Sequence, residues 1–178
     1  QNGEDKTYTC KILVNAAGPW VNKVLDKVES STSTLEMDLV QGSHIIVDDE
    51  APSGIYYVEA PQDQRALFVM PWNNKTMIGT TDIEFNGNDT AVVKPKQEEI
   101  DYLLQVYRHY FPERSGQVIE AFAGLRVLPK QGNSFFNRPR DTVIFSDPNL
   151  SGLLTLYGGK LTGYRATAEE VMQVLQKV

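Results

Sequence analysis

Three basic or imidazole side chains stand in settings that could do chemistry. Arg126 interrupts the apolar run Ala123-Gly124-Leu125-Arg126-Val127-Leu128-Pro129, and a guanidinium in a strand of that kind is costly unless an opposite charge meets it. An anionic substrate would satisfy it. So would a buried carboxylate, and Asp82 in Gly79-Thr80-Thr81-Asp82 is the candidate for that plain ion pair. His44 lies in Gln41-Gly42-Ser43-His44-Ile45-Ile46-Val47, where the neighbouring glycine marks a close approach to the strand. Its imidazole could accept a proton near neutral pH, with a hydrogen-bonded structural histidine as the ordinary alternative. Lys160 follows a glycine pair in Leu154-Thr155-Leu156-Tyr157-Gly158-Gly159-Lys160-Leu161-Thr162-Gly163-Tyr164-Arg165.

That last segment reads as an apolar strand, a bend and a helix start. Adjacent glycines let a ligand approach the backbone, and the free N–H groups of a first helical turn favour negative charge, so the segment has the form of an anion or cofactor cradle. An ordinary strand-to-helix turn would look the same. A Walker loop is excluded, because Leu154 and Leu161 occupy the positions that pattern reserves for Gly and for Ser or Thr. Asn15-Ala16-Ala17-Gly18-Pro19-Trp20 is a second small-residue turn after a strand, and the G-x-G-x-x-G fingerprint is absent from the 13 glycines.

The elements that must position these groups follow from periodicity. Thr7–Val14 reads as a strand and Trp20–Val28 as a short helix, with the polar run Glu29–Thr34 as the best boundary within the chain. Leu39–Val47, Ile55–Glu59, Ala66–Pro71 and Thr76–Thr80 read as strands with short connections, which implies an antiparallel sheet. Ile100, Leu103, Leu104, Tyr107, Tyr110 and Phe111 recur at helical spacing behind an acidic first turn, and Pro112 ends that helix. Val118–Leu128, Thr142–Phe145 and Leu153–Tyr157 read as further strands, and Thr162–Val178 as a closing helix with an apolar face of Ala168, Val171, Met172, Leu175 and Val178. The fold class expected is α+β, a largely antiparallel, mixed sheet flanked by helices.

Composition excludes several classes of function. The chain has 178 residues and a net charge of −6, which offers no basic field for nucleic acid. A single cysteine and two histidines are too few for a disulfide framework or a Cys/His zinc site, and no metal site is expected. A reducing, cytoplasmic setting is the natural reading. No apolar run approaches the roughly 20 residues that span a bilayer. The start without Met, a few residues before a strand, reads as a piece cut from something longer.

Taken in order, Asn15-Ala16-Ala17-Gly18-Pro19-Trp20-Val21, Gln41-Gly42-Ser43-His44-Ile45, Pro71-Trp72 with Ile78-Gly79-Thr80-Thr81-Asp82, Gly124-Leu125-Arg126 and the Gly158–Arg165 segment resemble the FAD-dependent (aerobic) glycerol-3-phosphate dehydrogenases of the D-amino-acid-oxidase-like superfamily. The resemblance spans nearly the whole chain. It implies a substrate-binding domain over residues 31–150, with remnants of an FAD domain at 1–30 and 151–178, the dinucleotide-binding motif lying outside. It implies FAD as cofactor, oxidation of sn-glycerol 3-phosphate to dihydroxyacetone phosphate by hydride transfer to flavin, quinone as electron acceptor, a homodimer, and peripheral attachment of the full-length protein at the inner membrane. It casts His44, Arg126 and Lys160 as catalytic and substrate-binding residues, with His44 accepting or orienting the hydroxyl and the two cations meeting the phosphate. Gly158, Gly159, Leu161 and Thr162 would meet the isoalloxazine edge, and Gly18 the phosphate or ribose end of the cofactor. The isolated piece is expected to be inactive. Two other readings are a related flavin oxidase of an amino or hydroxy acid, in which Arg126 clamps a carboxylate, and a non-catalytic domain.

Overall fold

The computed structural model describes residues 5–50, 52–87, 89–130 and 141–177. The chain divides into two compact units, Leu39–Arg126 and Gln1–Asp38 with Val127–Val178.

In the Leu39–Arg126 unit the strands are β2 (Met37–Val47), β3 (Tyr56–Glu59), β4 (Ala66–Trp72), β5 (Lys75–Gly79), β6 (Ile83–Glu84) and β7 (Val118–Pro129), together with helix α2 (Gln97–Tyr110). They form a 6-stranded sheet in the order β3-β4-β5-β2-β6, with β7 also paired to β2. Every mapped ladder among β2 to β6 is antiparallel, as the short connections require. β5 and β6 lie end to end along one edge of β2, interrupted by Thr80–Asp82.

The core lies between one face of this sheet and α2. Ile45, Val47, Leu67, Val69 and Ile78 meet Leu103, Val106 and Tyr107, all buried. The helical periodicity read from the sequence is present, but Tyr110 is exposed and Val106 takes a core position that the pattern missed. At the far end Asp49 accepts hydrogen bonds from Ser115 N–H at 3.1 Å, Ser115 Oγ at 2.8 Å, Gly116 N–H at 2.9 Å and Tyr107 Oη at 3.0 Å. Partial burial pushes the Asp49 carboxyl up, and these hydrogen bonds outweigh it and hold the group below its ordinary value.

The other unit contains β1 (Leu13–Asn15), α1 (Val21–Leu25), β8 (Thr142–Ser146), β9 (Leu153–Gly158) and α3 (Tyr164–Leu175). Its 3-stranded sheet has the order β1-β9-β8, with β1 parallel and β8 antiparallel to β9. Val21 and Leu25 pack on Leu153 and Tyr157. The strand expected over Thr7–Val14 shrinks to three residues, because the ladder with β9 starts only at Leu13↔Leu153. The helix expected from Trp20 to Val28 is a 3-10 turn, Gly18–Trp20, followed by α1. In α3 the buried residue is Val171, while Ala168 and Met172 face outward; the helix rests on a narrower stripe than the sequence pattern implied. Val178 lies outside the described residues.

Two stability outcomes follow. Leu103→Ala should lower unfolding free energy by about 2–5 kcal/mol in chemical denaturation, whereas the half-buried Leu104→Ala costs less. Because the Asp49 pKa is depressed on folding, its contribution is present above the ordinary value of 3.8 and is lost as pH falls through the folded value. An acid titration of stability should therefore show a smaller drop below that pH in Asp49→Asn than in the parent.

Candidate functional site

Successive side chains of a strand point to opposite faces. On β2 this sends Gln41, Ser43, Ile45 and Val47 toward α2, and Gly42, His44 and Ile46 to the other side. The glycine two residues before His44 has a clear purpose. A Cβ at Gly42 would collide with the guanidinium of Arg126, and a Cβ at Gly79, the cross-strand partner of His44, would collide with the imidazole. Both groups therefore lie flat on bare backbone, and the approach inferred from the glycine is that of Arg126 itself.

Arg126 is half-buried and firmly oriented. It forms an ion pair with Asp82 through Nη1, donates from Nη1 to the Thr81 carbonyl at 3.2 Å, and donates from Nη2 to Thr80 Oγ1 at 2.7 Å. The ion pair is the partner the sequence suggested, and the Thr80–Asp82 interruption between β5 and β6 is what supplies it. His44 stacks on Phe122 with ring centroids 5.3 Å apart and an interplanar angle of 7°. Burial pushes the His44 pKa below 6.5, and the positive charge of Arg126 pushes it further the same way. The imidazole is thus neutral at neutral pH and able to accept a proton. Phe122 escaped the sequence reading because an aromatic in a strand carries no signal of what it stacks on.

Beneath this face lies a polar cluster that the sequence reading missed. Glu99, in the first turn of α2, is only 4% exposed. Its Oε1 accepts from Ser43 Oγ at 2.7 Å and from Thr81 Oγ1, and its Oε2 accepts from Gln41 Nε2 at 2.6 Å and from Lys96 N–H at 2.9 Å. Thr81 Oγ1 also accepts the Ser43 N–H at 2.9 Å. From sequence, Glu99 is one of several acids suited to a helix N-terminus. Nothing local says that it is the buried one.

The glycine-pair turn belongs to the other unit. β1 and β9 run parallel with Asn15 opposite Thr155, so the Ala16–Trp20 and Gly158–Gly163 turns leave the same, carboxyl-terminal edge of the pair. That edge is where open α/β sheets receive ligands. Buried Asn15 braces the first turn, donating from Nδ2 to the Val21 carbonyl at 3.0 Å and accepting from Ala17 N–H at 3.3 Å. Gly158 and Gly159 have φ of 72° and 93°, left-handed values at which a side chain would be strained, and a Cβ on Gly159 would also press on Thr142 Oγ1. Lys160, Leu161 and Thr162 follow, all exposed, with Leu161 88% accessible. The structure thus brings His44 and Arg126 together in one unit, and Gly18, Gly158, Gly159, Lys160, Leu161 and Thr162 onto one edge in the other.

That edge suits the FAD that the resemblance implies. Gly18 has φ of 54°, and apart from its chain neighbours no atom of the described residues lies within 4 Å of where a Cβ would stand, which leaves its backbone open among them. An exposed leucine beside a bare glycine pair, at a turn leading into a helix, offers an apolar contact and backbone donors to a flat heterocycle. No group of His, Cys, Asp and Glu that could hold a metal occurs among the described residues. No helix among them is long and apolar enough to cross a membrane.

Comparison with known proteins shows the family. Residues 1–165 match the model of the FAD dependent oxidoreductase family. D-erythritol 1-phosphate dehydrogenase of Brucella abortus is 36% identical, over 99% of this chain and 36% of its own length. Aerobic glycerol-3-phosphate dehydrogenase of Escherichia coli is 33% identical over 97% of this chain and 36% of its own length. The crystal structure of glycerol-3-phosphate dehydrogenase from Bacillus halodurans, complexed with FAD, superposes with a TM-score of 0.76 at 33% identity, covering 93% of this chain and 32% of that one. The chain therefore spans about a third of the length of these relatives. The amino acid oxidase NikD shares the fold at 17% identity and a TM-score of 0.59. With an α+β fold and a family match over nearly its whole length, the chain belongs to the FAD dependent oxidoreductases.

Proposed function

We propose that this chain is the substrate-binding portion of an FAD-dependent dehydrogenase that oxidises sn-glycerol 3-phosphate, or a closely similar phosphorylated polyol, to the corresponding ketone, with electrons passing on to quinone. The observation that carries the reading is the pairing of a neutral imidazole, His44, with an oriented guanidinium, Arg126, on bare backbone at Gly42 and Gly79.

Oxidising a secondary alcohol removes a proton from oxygen and a hydride from carbon. His44 accepts the proton; its depressed pKa keeps it unprotonated and so competent as a base at neutral pH. Arg126 provides positive charge beside the same ring, either to the substrate phosphate or to the oxygen that becomes a carbonyl. Asp82, Thr80 and Thr81 keep its plane from turning. Lys160, on the glycine edge of the other unit, is assigned to substrate binding. Gly158, Gly159, Leu161 and Thr162 would hold the flavin ring, and Gly18 the phosphate or ribose end. FAD, when bound, supplies the hydride acceptor. The likeness to two phosphorylated-polyol dehydrogenases favours a phosphate ester over the carboxylate that an amino acid oxidase would offer Arg126.

The decisive experiment is turnover of the full-length, FAD-loaded protein with sn-glycerol 3-phosphate, a four-carbon polyol 1-phosphate and a panel of amino acids. Oxidation of amino acids alone overturns the reading. Arg126→Ala in that enzyme should lower kcat/KM roughly a hundredfold or more. Lys160→Met should act mainly by raising KM. The pH profile of kcat/KM should hold across neutrality and fall on the acid side through a value below 6.5, because protonation there removes the base; a limb above that value contradicts the role given to His44.

A further inference from the structure

Glu99 is buried on the side of the sheet away from His44, and no step above uses it. A buried carboxylate is retained at a cost unless its oxygens are fully met, and here donors from three segments converge on it. Gln41 and Ser43 come from β2, Thr81 from the Thr80–Asp82 interruption, and the Lys96 N–H from the entry to α2.

Two of these donors are chain neighbours of the site. Ser43 immediately precedes His44. Thr81 presents its carbonyl to Arg126 and is followed by Asp82, the partner of that guanidinium. Ser43 and Thr81 also bond each other directly, with Ser43 N–H on Thr81 Oγ1 at 2.9 Å and Thr81 N–H on the Ser43 carbonyl at 3.3 Å. One carboxylate oxygen, Oε1, takes both hydroxyls. It therefore clamps together the segment that carries the imidazole and the segment that orients the guanidinium.

We propose that Glu99 is a positioning residue for catalysis, a clamp beneath the sheet that fixes the His44 imidazole relative to the Arg126 guanidinium through Ser43 and Thr81. The proposal rests on the roles given above to His44 and Arg126. It explains why this acid of the first turn of α2 is turned inward: the remaining acid in that turn, Glu98, is exposed and serves the helix end as well. Glutamine has the shape of Glu99 and can keep all four contacts, its oxygen accepting from Gln41 and Lys96 while its NH2 donates to the Ser43 and Thr81 hydroxyls, whereas methionine fills similar space and gives these donors no strong acceptor, so it opens the clamp.

The test uses the full-length, FAD-loaded enzyme, assayed with whichever substrate the parent turns over, so that an error in substrate identity shows in the parent and not in the variant. Glu99→Met should lower kcat about tenfold or more, with KM changed less than kcat and at unchanged flavin content, since a misplaced reacting group chiefly slows the reaction, and Glu99→Gln should keep most of the parental kcat. Ser43→Ala, which deletes one hydroxyl of the clamp and leaves the Ser43 N–H and carbonyl bonds to Thr81, should lower kcat in the same direction. The Glu99→Met, Ser43→Ala double variant should lose less than the product of the two single losses. Parental kcat in both Glu99→Met and Ser43→Ala, a loss that merely tracks the flavin-loaded folded fraction, or fully multiplicative losses would each overturn the proposal. If Glu99→Met fails to fold, Ser43→Ala decides by the same kcat-against-KM criterion.

Discussion

A guanidinium laid flat against a β-sheet must be neutralised and must have room, and the arrangement around Arg126 answers both demands. Asp82 supplies the charge, Thr80 and Thr81 the remaining acceptors, and Gly42 the space. Each of these comes from a different part of the chain than Arg126 itself. β5 and β6 would make one ladder along β2 were it not for the Thr80–Asp82 interruption, and that break in the hydrogen-bonding pattern is where the acceptors turn toward β7. The site is therefore paid for by a defect in the sheet.

The two faces of the sheet divide the labour by residue parity. Odd positions of β2 point to α2 and bury aliphatic side chains or bond Glu99, while even positions carry Gly42 and His44. A slip of one residue would bury the imidazole and expose the core, so burial of Ile45 and Val47 against Leu103, Val106 and Tyr107 holds the site in register. Hydrophobic packing and the chemistry are in this sense one constraint. The buried carboxylate sits at the point where they meet.

The glycine edge of the other unit follows from a different rule. Parallel strands release their chains at the same end, so the turns after β1 and β9 are neighbours although about 140 residues separate them along the chain. A short β1 is enough for this. Its three residues set the register with β9, and Asn15 then braces the turn that carries Gly18.

By itself the sequence determined what depends on near neighbours. The alternation in Leu39–Val47, the helical spacing from Ile100 to Phe111 and the glycine pair at Gly158-Gly159 each state a local backbone form, and each is present. Asp82 could be named as a candidate partner of Arg126 because an isolated charge in an apolar strand demands an opposite charge. Tertiary structure alone decided which acid of the α2 entrance is buried, which ring stacks on His44, and which stripe of α3 is covered, leaving Ala168 and Met172 outside. The physical reason is that hydrogen bonds, stacking and burial join residues tens of positions apart. Their free energy depends on what the fold brings opposite, and no window of sequence contains both partners.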